Sequence, residues 1–121
     1  MDATWLDFIL KEKRFGVEAA QKAMDLVVES EPVLKASDYE QMYALFYRTL
    51  LTARLYEATA KAYFGYRVYA RGEEFRSWWL QQTIRSGLDS MLTIAAEIDR
   101  YPGKVPVGQW KWRNDAVTAR E

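Results

Sequence analysis

Hydrophobic side chains recur every three or four residues along three long stretches of the chain, a spacing that places them on one face of an α-helix. The first predicted helix covers about residues 4–29. Its apolar positions are Leu6, Ile9, Leu10, Val17, Ala20, Met24, Val27 and Val28. We expect it to end before Glu31-Pro32, because the residue that precedes a proline is biased away from helical backbone.

The second predicted helix, about residues 38–70, is apolar around much of its circumference. Ser37 and Glu40 form a capping-box pattern at its start, in which each side chain bonds a free backbone N–H group. Two adjacent apolar stripes follow, one made of Tyr39, Tyr43, Phe46, Leu50, Ala53, Phe64 and Val68, the other of Tyr47, Leu51, Leu55, Ala58, Ala62 and Tyr69. So wide an apolar sector predicts a central helix with a neighbour on two sides.

The third helix is predicted over about residues 72–100, and it ends before Tyr101-Pro102-Gly103, where Pro-Gly suits the middle of a type II turn. Its apolar stripe consists of Leu80, Ile84, Leu88, Met91, Ala95 and Ile98. Short connections between long helices favour antiparallel neighbours. We therefore predict an all-α single domain over residues 1–121. It is an up-down-up three-helix bundle whose extended aromatic tail, residues 101–121, packs back on helix three.

A layer of charged residues interrupts these stripes. Glu57 falls within the main stripe of the second helix beside Arg54, and Lys13 interrupts the first stripe in the same way. With turns centred near residues 34 and 71, Arg85 lies at the height of Glu57 and Asp89 is level with Arg54. We predict that these five residues form a partly buried ion-pair layer that fixes the helix register. The alternatives are a small pocket for an anionic ligand, or an exposed Glu57.

Large aromatic side chains are the second unusual feature. Phe75 and Trp79 fall on the face of the third helix opposite its apolar stripe, and Trp78 falls at the edge. A tail that runs back along this helix brings Trp110 and Trp112 beside them, and the alternation in QWKW puts both on one face of an extended chain. We predict that the tail seals this aromatic strip. The alternatives are a contact surface for another domain or partner, and a platform on which sugar rings stack.

Composition excludes several kinds of chemistry. The chain has 17 basic and 17 acidic residues, and neither half has the clustered Lys and Arg of a nucleic-acid surface. Histidine and cysteine are absent from the sequence, which excludes His- or Cys-dependent nucleophiles and the usual zinc sites. Neither a phosphate-binding glycine loop nor a convergent carboxylate pair is evident. We predict no enzyme activity, no catalytic residue, no cofactor and no metal.

The sequence gives only a default expectation for the location of the protein. No apolar run approaches the length of a membrane span, so we expect no membrane partner. The N-terminus, MDATWLDFILKEKRF, lacks the basic-then-apolar order of a signal peptide. We expect a cytoplasmic protein, or one whose signal lies outside this sequence.

The run YFGYRVYARGEEFR, the long amphipathic helix after it and the run YPGKVPVGQWKW resemble helical regions that follow the catalytic barrel in bacterial glycoside hydrolases of the α-glucuronidase type. The resemblance covers about residues 40–115, and it implies an accessory domain that packs on a larger enzyme or helps it dimerise. We therefore expect a non-catalytic helical interaction or packing domain. Its expected partners are other domains of a parent protein or further copies of itself. A ligand-binding module is the alternative.

Overall fold

Three long α-helices make up most of the described chain, which the computed structural model gives as residues 3–72 and 77–100. α1 spans Ala3–Glu29, α2 spans Ala36–Tyr69 and α3 spans Ser77–Arg100, and one turn of 3-10 helix, Glu31–Val33, connects α1 to α2. These ranges contain no strand, and none of their helices is long and apolar enough to cross a membrane. The predicted all-α three-helix bundle is confirmed. The predicted tail lies outside the described residues.

Local backbone conformation determines both ends of α2, and its start differs from the prediction. Lys35 is extended, with φ −63° and ψ 145°, and takes the N-cap position, so the helix begins at Ala36 without a side-chain cap. The predicted capping box is wrong, because Ser37 already lies inside the first turn. After the helix, Gly72 has φ +77°, which glycine adopts without steric cost, and its N–H donates to the carbonyl of Tyr69.

α2 is the central helix of the bundle. It packs against α1 and α3 along much of their length, whereas α1 and α3 scarcely touch each other. Both neighbours run antiparallel to α2, because early residues of α2 meet late residues of the neighbour and the reverse. The pairs that establish this are Leu6 with Val68, Met24 with Leu50, Ile84 with Gly65, and Glu97 with Tyr47.

All three helices share one hydrophobic cluster at one end of the bundle, which we call the closed end. Leu6, Val68 and Leu80 come from α1, α2 and α3 respectively, and all three are fully buried there. Phe64 and Trp79 are partly buried and pack against them. This cluster fixes the N-terminal ends of α1 and α3 against the C-terminal end of α2.

Away from the closed end, the core divides into two separate clusters. One joins α1 to α2 and contains Val17, Met24 and Leu50. The other joins α2 to α3 and contains Leu51, Leu55, Ala58, Ile94, Ala95 and Ile98. Because neither buried cluster contains residues of both outer helices, α1 and α3 leave an open space between them, with α2 as its floor.

Gly87 sets the rotation of α3 against α2. A Cβ atom at this position would lie 2.6 Å from the carbonyl oxygen of Ala58 and 2.7 Å from the backbone nitrogen of Ala62. With Gly87 turned toward α2, the next residue, Leu88, turns outward and is 51% exposed. The prediction that Leu88 belongs to the core is therefore wrong, because a hydrophobic pattern gives no weight to a glycine that allows close backbone contact.

Replacing Gly87 with alanine is expected to lower the free energy of unfolding by about 1–3 kcal/mol, because the added methyl group overpacks the contact between two backbones. Gly16→Ala is the matched control, since Gly16 is exposed within α1 and nothing lies near the position of its missing Cβ atom. Alanine there is expected to raise the free energy of unfolding by about 0.5–1 kcal/mol. Urea unfolding measures both, and equal effects would contradict the close approach.

Candidate functional site

Glu57 is a buried charged side chain at the floor of the space between α1 and α3, with 9% of its surface exposed. Arg14 of α1 reaches it, and the Nη1 atom donates to both carboxylate oxygens, at 3.1 and 3.3 Å. Glu18, one turn further along α1, lies 3.6 Å from the Nε atom of the same arginine. The cation beside Glu57 is therefore Arg14, one residue away from the predicted Lys13.

Lys13 faces a different side of α1 and does not reach Glu57. Its Nζ atom lies 6.0 Å from the centre of the Tyr56 ring, within range of a cation–π interaction. Consecutive residues of a helix point about 100° apart, so Lys13 and Arg14 cannot both face the same carboxylate. The prediction had the correct height along α1 and the wrong side of the helix.

Arg85 does not belong to the charged layer, because the predicted register of α3 is wrong. Gly87 lies beside Ala58 and Ala62 of α2. In an antiparallel pair, residues after position 87 then lie at the height of Glu57, so Arg85 is more than one turn away. Its side chain is exposed.

An open cleft of about 660 Å³ separates α1 from α3, and we call it the inter-helix cleft. Two basic side chains, Arg54 and Lys61, lie on its α2 floor together with Glu57. Two acidic side chains, Asp89 and Glu97, lie on its α3 wall. The cleft therefore brings together three members of the predicted layer, Arg54, Glu57 and Asp89, in an arrangement different from a closed ion-pair layer.

Hydrogen bonds position two of the charged groups that line the cleft. The Nη2 atom of Arg54 donates to the side-chain oxygen of Gln21 at 3.3 Å, which ties the floor to α1. The hydroxyl of Tyr47 donates to the Oε2 atom of Glu97 at 3.1 Å, which ties the floor to the α3 wall. The side chains of Arg54 and Glu97 both line the cleft.

The residues of the predicted aromatic surface do not form one continuous surface in the described part of the chain. Trp79 packs against the closed-end cluster, so the prediction that it projects away from the core is wrong. The cause is again the rotation of α3, since Leu80 and Gly87 rather than Leu88 mark its buried face. Trp78 is 74% exposed on α3. Phe75, Trp110 and Trp112 lie outside the described residues.

A row of uncharged side chains follows the exposed face of α2, and we call it the outer stripe. Its members recur at alternating spacings of three and four residues: Met42, Leu45, Thr49, Thr52, Tyr56, Thr59, Tyr63 and Tyr66. Seven of the eight are exposed, and Thr52 is half-buried. Tyr63 follows Lys61 by two residues, about 200° around the helix, so the outer stripe lies on the face of α2 opposite the inter-helix cleft.

Two threonine hydroxyls of the outer stripe bond within the helix, so the surface of the stripe is less polar than the sequence indicates. The hydroxyl of Thr49 donates to the carbonyl of Leu45 at 3.0 Å, and that of Thr52 donates to the carbonyl of Arg48 at 2.9 Å. Because these hydroxyls bond within the helix, the methyl groups of the threonines are left for contact. Sequence analysis missed the stripe because its threonines count as polar in a periodicity search.

The described residues contain no group of three or more His, Cys, Asp or Glu side chains placed to hold a metal ion. Two of the acidic residues that line the cleft, Glu18 and Glu57, instead pair with Arg14. The two faces of α2 therefore suit different contacts, with charge recognition on the cleft side and apolar contact along the outer stripe.

The Arg14–Glu57 pair is expected to show a coupling free energy of about 1 kcal/mol in a double-mutant cycle with Arg14→Met and Glu57→Gln. The value is modest because the arginine side chain is 55% exposed and solvent screens it. Lys13→Met with the same Glu57 substitution is the control, and its coupling should be below about 0.5 kcal/mol. Urea unfolding of the variants measures both cycles. A larger coupling for Lys13 would contradict the observed pair.

The stability of the bundle should depend on the protonation of Tyr47 at alkaline pH. Burial, followed by the nearby charge of Glu97 and the hydrogen bond to it, raises the pKa of the Tyr47 hydroxyl above its ordinary value of 10.0. A raised folded-state pKa means that this contribution is complete below the ordinary pKa and is lost as the pH rises through the folded-state value.

Unfolding by urea from about pH 8 to about pH 11 measures this dependence. Tyr47→Phe should lose less stability than the wild type over that range. Tyr69→Phe, which changes an exposed tyrosine outside the outer stripe, is the matched control and should follow the wild type. Identical pH dependence in Tyr47→Phe and the wild type would contradict the role of this hydroxyl.

No family model, curated protein or solved structure matches this chain. The resemblance to accessory regions of α-glucuronidase-type enzymes therefore stays a prediction. The two faces of α2, the outer stripe and the inter-helix cleft, are the features that bear on its function.

Proposed function

We propose that this chain is a non-catalytic helical assembly domain that joins two copies of itself through the outer stripe of α2. The outer stripe is the single observation that carries the proposal. A row of eight uncharged residues, seven of them exposed and three of them tyrosines, extends over most of a 34-residue helix. Such a surface is typical of an interface, where tyrosine and methionine are enriched and charged residues are depleted.

The composition of α2 supports a partner on its exposed side. Between residues 42 and 69 the charged residues are Arg48, Arg54, Glu57, Lys61 and Arg67. A helix that is apolar on nearly every side is usually buried on nearly every side. α1 and α3 cover two sides and the cleft accounts for the third. The outer stripe is the side that still lacks a neighbour among the described residues.

The outer stripe is complementary to itself when two copies of α2 run antiparallel. Its first half is aliphatic or small and its second half contains the three tyrosines, so a two-fold axis near residue 54 places a tyrosine opposite a smaller side chain in three of the four pairs and threonine opposite threonine in the fourth. The opposed pairs are Met42 with Tyr66, Leu45 with Tyr63, Thr49 with Thr59, and Thr52 with Tyr56. Self-complementarity of this kind is what a two-fold symmetric interface requires.

The charged residues at the two ends of the stripe are consistent with the same antiparallel register. Asp38 extends the stripe by one turn at its N-terminal end and is exposed. Arg67 lies at the C-terminal end, with its guanidinium 5.8 Å from the centre of the Tyr63 ring. Antiparallel pairing brings Asp38 of one copy within one turn of Arg67 of the other, at both ends of the interface.

The outer stripe alone is about 36 Å long and about 10 Å wide, which gives on the order of 400 Å², so a stable dimer also needs the flanks of α1 and α3. A standard interface buries about 800 Å² on each partner. On α3, Leu88 and Leu92 lie on the flank away from the cleft residues and are exposed, so they extend the apolar face beyond α2.

Sedimentation velocity over a concentration series should show a dimer of the wild-type chain. Tyr63→Glu is expected to raise the dissociation constant by about thirtyfold or more, because it places a charge opposite Leu45 in an apolar contact. Ala96→Glu is the matched control, since Ala96 is exposed on α3 and lies outside the stripe. A wild-type monomer at high micromolar concentration would overturn the proposal.

Charge reversal tests the antiparallel register directly. Asp38→Arg and Arg67→Asp should each weaken the dimer, because each places like charges opposite one another. The double variant should recover most of the wild-type affinity. Failure of the double variant to recover, with both single variants folded and weakened, would contradict the proposed pairing of these two residues.

A further inference from the structure

We propose that the inter-helix cleft binds a small zwitterion that carries one ammonium and one carboxylate group, of the amino acid and short peptide class. The cleft lies on the face of α2 opposite the outer stripe, so this inference is independent of self-association. It depends on how charge is distributed across the cleft and on which charges remain unpaired.

The charge of the cleft is divided between its two sides. Arg54 and Lys61 are on the α2 floor, where the acidic Glu57 is already bonded by Arg14. The α1 wall adds Lys22 and a Glu18 that pairs with the same arginine. The α3 wall offers the opposite charge, because Asp89 and Glu97 line it and no basic side chain of α3 does. Positive charge thus faces negative charge across one open space.

These opposite charges do not pair with each other. Neither Arg54 nor Lys61 lies within 4.0 Å of a carboxylate oxygen of Asp89 or Glu97 in the described chain, where ion pairs involve Arg14 with Glu18 and with Glu57. The reason is geometric, because the closed-end cluster and Gly87 hold the helices at fixed positions while the side chains point into the cleft. A ligand with both charges bridges this gap.

The distribution of charge excludes simpler ligands. An anion attracted by Arg54 and Lys61 is repelled by Asp89 and Glu97. A cation attracted by the two acidic residues is repelled by the two basic ones. Neither kind of ion is therefore attracted by the whole cleft. A zwitterion places its carboxylate toward the floor and its ammonium toward α3, and it gains from both sides. This argument favours a zwitterion over the small anion that the sequence analysis gave as an alternative.

The remaining lining suits the uncharged part of such a molecule. Val17, Ala58 and Ile94 contribute apolar surface and Ser90 contributes a hydroxyl, while the Thr93 hydroxyl donates to the carbonyl of Asp89 and leaves its methyl group for contact. The volume of about 660 Å³ lies within the range of about 300–1,000 Å³ that is common for small-molecule sites. The cleft therefore has room for a free amino acid or a peptide of a few residues.

A titration followed by amide chemical shifts of the ¹⁵N-labelled protein tests the proposal. The probe is triglycine, and the matched analogues are N-acetyl-triglycine, which lacks the ammonium, and triglycine amide, which lacks the carboxylate. We expect saturable shifts with triglycine below about 10 mM that map to residues 54–61 and 89–97. Each analogue should bind at least about tenfold more weakly.

Two variants assign the charges, and one controls for nonspecific effects. Lys61→Gln and Asp89→Asn should each weaken triglycine binding by about tenfold or more while the circular dichroism spectrum is unchanged. Lys35→Gln removes an exposed lysine outside the cleft and should bind like the wild type. Absence of shifts with triglycine, or equal binding of triglycine and both analogues, would overturn the proposal.

Discussion

The close contact between α2 and α3 at Gly87 is the constraint on which the rest of the structure depends. It brings the backbone of α3 against Ala58 and Ala62, and this contact permits one rotation of α3. That rotation turns Leu88 outward, packs Trp79 on the closed-end cluster and points Asp89 into the inter-helix cleft. Both candidate surfaces therefore follow from a residue that has no side chain.

Two helices that scarcely meet each other leave the central helix with two open faces, and the two faces have different chemistry. Toward the cleft, α2 presents Arg54, Glu57 and Lys61, charges that water and ligands can reach. On the other side it presents the outer stripe, which has no charge. A face that is both uncharged and exposed favours a permanent protein partner, whereas a face with unpaired charges favours an exchangeable small molecule.

Much of the fold could be predicted from the sequence, because three amphipathic stretches of helical period leave few other architectures. The burial of Glu57 was also predictable, since a carboxylate inside an apolar stripe is conspicuous. Its partner was not, because Lys13 and Arg14 differ only by the direction in which each points from α1. The error at Arg85 came from the height and rotation of α3, which the contact of Gly87 with Ala58 and Ala62 determines. The cleft itself depends on how far α1 and α3 separate, which no local pattern encodes.

The central claim is that two copies of α2 meet antiparallel along the outer stripe, and distances between spin labels test it most directly. The chain has no cysteine, so Thr52→Cys and Ala70→Cys each give one label per copy, near to and far from the two-fold axis. The account predicts a short separation at position 52 and one longer by roughly 40 Å at position 70, from the rise of an α-helix. Equal separations at both positions, or no coupling between labels of different copies, would contradict it.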